Sequence, residues 1–342
     1  MSRSVRRSVR VPAPNDDVDA YLDALVGVVE RYDIALIVPV SDETMHVGAL
    51  SDRLPAGVRL FCPPQPSLLD LHDKLAFIRR AEEADLPVPE TCAYEDRERA
   101  RALLARKACI SKPRFSSAGK GLRHHPREGS LGADLKAEAP RVLQEYLPGA
   151  ELSTFAIARD GKVVGNVVYR GLIMSGTVAV SFERLTNPPP AIIHWVRRFA
   201  EHTSHNGFLS FDFRLASDGQ PLPMECNPRA TSGMHFVTPR ALATGILRTV
   251  SEFPVEWLRS QSRLQQFYTA LTEVQAASLR REPVPDGLRL LFSTRDVTWE
   301  ANDPLPLVLQ PAVSIGILAR TIFKGWTFGE AATFDIAWGE KG

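Results

Sequence analysis

Asp212, Glu225 and Asn227 are the side chains whose types and spacing most clearly suggest chemistry. Phe208 to Leu215 is apolar and aromatic, Ser217 to Gln220 is a turn with Gly219 available for a positive φ, and Pro221 to Cys226 is again extended. The pattern predicts a β-hairpin. Side chains alternate along a strand, so Glu225 and Asn227 share one face, Cys226 takes the other, and Asp212 on the partner strand can join the first pair. Two carboxylates and an amide suit a hard divalent cation that keeps phosphate oxygens and water among its ligands, Mg²⁺ above all or Mn²⁺.

Two lysines and a loop of small residues could hold the phosphates. Ala108 to Lys112 reads as an apolar strand that ends in Lys112-Pro113 and enters Ser116-Ser117-Ala118-Gly119-Lys120-Gly121. Backbone N–H groups in such a loop can close over phosphate oxygens, although neither the spacing nor the following helix is that of a P-loop. Lys74 opens a segment in which Leu75, Phe77, Ile78 and Ala81 have helical spacing. Each lysine taken alone reads better as a solvated surface cation.

Between them and the hairpin, Val142 to Ser153 reads as a strand, a Pro148-Gly149 turn and a second strand. These segments, in this order, resemble the ATP-grasp superfamily of carboxylate–amine and carboxylate–thiol ligases. The likeness runs from Leu71 to Phe236 and extends upstream over Tyr32 to Pro64. It implies an α/β and α+β architecture in which two α+β subdomains sandwich ATP, with a partial Rossmann-like domain in front and a helical and mixed tail behind. It further implies that Lys74 and Lys112 contact phosphates under a lid spanning Phe115 to Gly121, where Ser116, Ser117, Gly119 and Gly121 supply donors. The backbone of Glu145 and Leu147 would read the adenine edge with Gln144 beside it, Glu151 would take the ribose hydroxyls, and Asp212, Glu225 and Asn227 would hold the metal. Gln144 departs from the acid that many members carry there.

Arg229 follows the metal trio, and Thr231-Ser232-Gly233 offers hydroxyls and N–H donors, a setting for an anion such as a substrate carboxylate or a moving phosphoryl group. Arg170, ending the strand Lys162 to Tyr169, is a second candidate for the substrate carboxylate, and Lys112 can also act on the transferred group. His235 reads as a packing residue. The resemblance implies ATP-dependent carboxylate–amine ligation through an acylphosphate, releasing ADP and phosphate, with small-molecule carboxylate and amine substrates. Bicarbonate activation, as in carbamoyl-phosphate synthase or biotin carboxylase, would use the same nucleotide site. So would a nucleotide-binding protein without catalysis.

With 41 basic and 40 acidic residues the chain has no global field to draw nucleic acid or a membrane. Cys62, Cys92, Cys109 and Cys226 form no CxxC pair and read as reduced thiols. With no apolar run long enough for a membrane span and no signal-peptide core, the expectation is a soluble cytoplasmic protein, with homodimerisation left open. The chain divides into a partial α/β domain (1–70), a lid and hinge subdomain (71–148), a larger sheet with the metal trio (149–240) and a C-terminal extension (241–342). The first part predicts a helix from Asp16 to Arg31 and a strand from Ile34 to Pro39, and reads as a shortened domain lacking its opening strand and Gly-rich turn. Asp42 and Glu43, just past that strand, are placed to face the site. The extension predicts a helical stretch over Leu242 to Arg281, a strand at Leu288 to Phe292, a helix at Pro311 to Phe323 and an extended end at Ala332 to Trp338.

Overall fold

The computed structural model describes residues 2–116, 121–129, 131, 140–176, 178–247, 257–280, 287–324 and 328–338. Its strands are β1 (Leu36–Ile37), β2 (Arg59–Leu60), β3 (Thr91–Ala93), β4 (Cys109–Pro113), β5 (Arg123–His125), β6 (Arg141–Glu145), β7 (Glu151–Arg159), β8 (Lys162–Ser175), β9 (Val178–Arg184), β10 (Gly207–Leu215), β11 (Pro221–Asn227), β12 (Arg263–Gln265) and β13 (Arg295–Asp296). They form a parallel β1-β2 pair, an antiparallel sheet in the order β3-β6-β4-β5, and a larger sheet in the order β11-β10-β7-β8-β9-β12-β13.

The larger sheet has two unlike faces. On one, Leu152, Ala156, Val168, Leu209, Phe211, Phe213 and Cys226 pack under the helix Pro190–His202. Trp195 and Phe199 of that helix meet Phe211 edge-on, and Phe77 of the helix Lys74–Glu83 lies against Trp195, Phe199 and Phe211. The helix Lys74–Glu83 buries the Leu75, Phe77, Ile78 and Ala81 stripe that the spacing predicted. Asp73 caps it, accepting from the Leu75 N–H at 2.9 Å, so Lys74 sits on its first turn. On the opposite face, Phe155, Val167, Tyr169, Phe182 and Phe208 meet Phe61, Phe236 and Val237, and one end of this face is left polar.

The hairpin forms as expected, with Gly219 at φ +83° in its turn. β11 is an edge strand, which is why Pro221 and Pro223 can stand in it without costing the ladder a donor. Pairing shifts from Asp212↔Glu225 to Phe213↔Pro223, a bulge that leaves Met224 without a partner residue.

The turn between the two sheets tolerates no side chain at Gly149. A Cβ there would stand 1.7 Å from the Leu215 carbonyl oxygen, and Leu215 N–H is itself bonded to the Ala150 carbonyl. Gly149→Ala is therefore expected to cost about 1–3 kcal/mol through displaced backbone, read as a lowered denaturant midpoint. An unchanged midpoint would show that this turn relaxes freely.

Several elements differ from the sequence expectation. The first helix spans Val18–Tyr32, and the strand after it shortens to β1, paired with β2. The helical stretch after Leu242 is two helices, Pro239–Leu247 and Phe267–Arg280, separated by β12, because Arg263 to Gln265 complete the edge of β9. Leu288 to Phe292 is helical, within Gly287–Ser293. Leu291 is buried beside Ala270 and Val274 while Leu288 and Phe292 point outward, a one-sided spacing that a short apolar run does not distinguish from a strand. The helix predicted from Pro311 runs from Leu305 to Lys324 with Pro311 inside it, and the extended end begins with the helix Phe328–Thr333. Among the described residues no helix is long and apolar enough to cross a membrane.

Candidate active site

The polar end of the larger sheet carries a row of side chains in register across four strands. Glu225 pairs with Asp212, Asp212 with Ser153, and Ser153 with Tyr169. Directly paired residues share a face, so this row stands on the face away from the Pro190–His202 helix. Ser153 Oγ donates to Asp212 Oδ1 at 2.6 Å, and Asn227 Nδ2 donates to Asp212 Oδ2 at 3.2 Å, so the amide oxygen is the atom of Asn227 left to serve as a ligand. The three predicted metal residues therefore converge.

The cations come from the other side. Lys74 is 3% exposed, with Nζ 3.6 Å from Glu225 Oε2 and donating to the Ser116 carbonyl at 2.6 Å and Ser116 Oγ at 3.2 Å. Lys112 reaches across from β4 to donate to the Met224 carbonyl at 2.7 Å, and the bulge is what frees that oxygen. Burial lowers both ammonium groups, Lys112 to about 8. Burial also works against the charge on Glu225, but Lys74 and Lys112 outweigh it and hold the carboxyl below its usual value. Asp212 is raised by burial and by the neighbouring Glu225 charge. Two adjacent half-buried acids, one of them kept from ionising easily, form a donor set that a divalent cation would relieve. Among the described residues no three His, Cys, Asp or Glu side chains gather as a metal cage, so the metal reading rests on this mixed trio.

Arg229 lies two residues beyond Asn227, with Nε 2.5 Å from Asp42 Oδ1 and Nη1 donating to the Ala230 carbonyl at 3.2 Å. Asp42 thus faces the site as expected. Glu43 does not, since its carboxylate accepts from the Val40 and Ser41 N–H groups and closes its own loop. Beyond Arg229 opens a cavity of about 350 Å³, bounded by Ser41, Thr231, His235, Thr269 and Thr333 among others. Burial, with Arg259 nearby, depresses His235 to about 4, and its ring lies against Phe182, so it is a neutral wall residue, in keeping with a packing role.

On the hinge side, Gln144 is fully buried, its Nε2 donating to Thr91 Oγ1 at 3.0 Å. It pairs with Ile110, two residues from Lys112, and so shares the face of Lys112. The Glu145 side chain is turned to the opposite face, accepting from Lys107 and from the Glu90 N–H, and its own N–H is bonded to the Glu90 carbonyl. Leu147 is buried. Glu151 stands two residues from Ser153 on the same face, half exposed, accepting from Arg214 at 2.8 Å. Gly121 has a φ of +69° and its carbonyl accepts from Arg141. Ser117 and Gly119 lie outside the described residues.

Arg170 is not brought to the site. It neighbours Tyr169 on a regular stretch of β8 and therefore points to the opposite face, where it pairs with Glu183 at 2.6 Å beside Arg263. Three contributors escaped sequence reasoning. Ser153 orients Asp212. Tyr169 donates to Thr231 Oγ1 at 3.3 Å and fixes the loop after Arg229. His72, depressed to about 3 by burial and by Lys74 and Arg229, packs neutral near Phe115. Only the pairing register shows the first two, while His72 lay in view two residues before Lys74.

The chain carries an ATP-grasp domain: residues 71–233 match the family model of that description. No curated protein matches the sequence. Similar solved structures include the biotin carboxylase domain of 2-oxoglutarate carboxylase from Hydrogenobacter thermophilus, at 15% identity, TM-score 0.57, over 72% of this chain and 61% of that one. N5-carboxyaminoimidazole synthetase from Staphylococcus aureus gives 15%, 0.54, 71% and 67%. The L-amino acid ligase from Bacillus licheniformis gives 15%, 0.51, 67% and 57%. The chain spans less than two thirds of the length of the first and third of these. Identities this low establish a shared fold.

Proposed function

We propose that the chain is an ADP-forming ligase that uses ATP to join a small-molecule carboxylate to an amine. The observation that carries this reading is the convergence of buried Lys74 and Lys112 on Glu225 and Asp212, with Arg229 and a cavity immediately beyond. A cation at the trio, Mg²⁺ or Mn²⁺, would neutralise phosphate charge during transfer. Lys74 and Lys112 hold phosphate oxygens, and Gln144, the Glu145 and Leu147 backbone and Glu151 hold the adenosine. Arg229 holds the acceptor carboxylate. One carboxylate oxygen attacks the γ-phosphorus, the bond to the β–γ bridging oxygen breaks, and ADP leaves. The amine then attacks the acyl carbon, the C–O bond to phosphate breaks, phosphate leaves, and the nitrogen loses a proton. No protein nucleophile is needed, because positioning and charge stabilisation carry the transfer.

Bicarbonate would leave most of the 350 Å³ cavity unfilled, which favours a larger carboxylate. ADP release measured over pools of carboxylates crossed with amines tests the proposal. Release that needs both a carboxylate and an amine is expected, and release with bicarbonate alone would overturn it. Glu151→Ala is expected to raise the apparent KM for ATP about tenfold with little change in kcat, through loss of charge-assisted bonds to the ribose. An unchanged ATP dependence would put the ribose elsewhere.

A further inference from the structure

The cavity beyond Arg229 is separate from the nucleotide side, since none of Lys74, Lys112, Glu151, Asp212 or Glu225 lines it. Its walls come from distant parts of the chain: the loop after β1, the loop after Asn227, the β8–β9 hairpin, the helix Phe267–Arg280, and the helix Phe328–Thr333. That last helix is followed by a segment tied to the N-terminal part, with Asn15 Nδ2 donating to the Phe334 carbonyl at 2.7 Å and the Ala337 carbonyl at 3.0 Å. The extension after residue 240 therefore supplies part of the cavity wall, through Gln266, Thr269, Ala332 and Thr333.

The chemistry of the lining is one-sided. Arg229 is its charged group, and among the described residues no Asp, Glu or Lys lines it. Asp42 is engaged by Arg229 and Glu273 accepts from the hydroxyl of Ser175 at 2.6 Å, so both carboxylates stand behind lining residues and neither lines the cavity. The remainder alternates hydroxyls and an amide (Ser41, Ser175, Thr269, Gln266) with an apolar wall (Val178, Met234), and His235 is held neutral by burial. A carboxylate finds a partner in Arg229. An ammonium in the same cavity would give up part of its water with no lining anion among the described residues to meet it, and an unpaired, partly desolvated charge costs more than an unpaired neutral polar group.

We infer that this cavity selects a carboxylic acid whose body carries no charge, such as an N-acylated amino acid or a hydroxy acid, over the zwitterionic amino acid of the same shape. This rests on the ligase reading above for the role of the site, and its test is binding rather than turnover. Calorimetric titration of the full chain, with ADP and Mg²⁺ present, would compare a panel of amino acids with their N-acetyl and 2-hydroxy counterparts. The uncharged-body acids are expected to bind at least about tenfold more tightly, the equivalent of one unmet polar contact. Gln266→Glu, nearly isosteric, adds an anion to the wall and should shift that ratio about tenfold or more toward the amino acids, with Thr269→Asp as the alternative should the first variant fold poorly. Equal or tighter binding of the zwitterions, binding of neither class, or a ratio unmoved in folded variants would overturn the inference. If the uncharged-body acids bind as expected but no amine elicits ADP, the ligase reading fails and the selectivity stands. ADP release confined to zwitterions would sink the selectivity and keep the ligase.

Discussion

Replacing Glu225 by glutamine is expected to lower ADP formation by about 10²–10³-fold while leaving the fold and its thermal midpoint nearly unchanged. Glu225 faces both groups of charges: it is the register partner of Asp212, and its Oε2 lies 3.6 Å from Lys74 Nζ. Glutamine keeps the shape and the β10–β11 ladder but removes the negative charge. The trio then loses half of its formal charge as a cation site, and Lys74 loses the carboxylate that favours its protonated form. The first loss falls on nucleotide-bound states, where phosphate charge must be balanced; in the apo protein Lys74 keeps its bonds to the Ser116 oxygens and the nearby Asp73 and Asp212 carboxylates, which limits the cost of the second. A parallel titration with Mg²⁺ or Mn²⁺ separates the causes: a weakened metal requirement in Glu225→Gln points to the cation, and near wild-type turnover would remove Glu225 from the site.

The hairpin, the helix beginning at Lys74 and the strand ending at Lys112 were all legible in the sequence because each is local. Period-2 alternation with Gly219 specifies one, and helical spacing after Asp73 specifies another. What the sequence did not carry is register across strands that are distant in the chain. Ser153 is an unremarkable serine until β7 is set beside β10, where it stands opposite Asp212. The misplacement of Arg170 has the same origin. Its strand was identified, but which face it takes depends on pairing with β7 and β9, and a single step along the strand exchanges Tyr169 on the site face for Arg170 on the other.

The C-terminal extension was the least legible part, for a different physical reason. Its apolar runs are short, and β12 is a strand because an open edge of β9 was available to Arg263–Gln265, with Arg263 reaching Glu183 at 2.7 Å. The contribution of Gln266, Thr269 and Thr333 to the cavity likewise arises from docking, which leaves no local pattern. Arg229 and Asp42, by contrast, could each be proposed from their neighbours in sequence, and only their meeting at 2.5 Å required the fold.

Lys112→Met is expected to reduce kcat/KM for ATP by about 10²–10³-fold without destabilising the chain. The methionine stem fills the volume of the lysine chain, and what disappears is a cation that the fold already holds at a cost, since burial lowers Lys112 to about 8. Its ammonium donates to the Met224 carbonyl, an oxygen released by the β10–β11 bulge, so the bulge and the lysine act as one device for aiming a charge from the smaller sheet at the larger. Lys112→Arg distinguishes charge from shape. A guanidinium keeps the charge but is planar and longer, so it cannot place a single compact donor at the same carbonyl. Arginine should therefore recover only a small part of the loss if Lys112 is a positioned phosphate contact. Full recovery would mean that a diffuse positive potential suffices, and wild-type activity in the methionine variant would mean that the phosphates are held by Lys74 and the loop after Ser116 without Lys112.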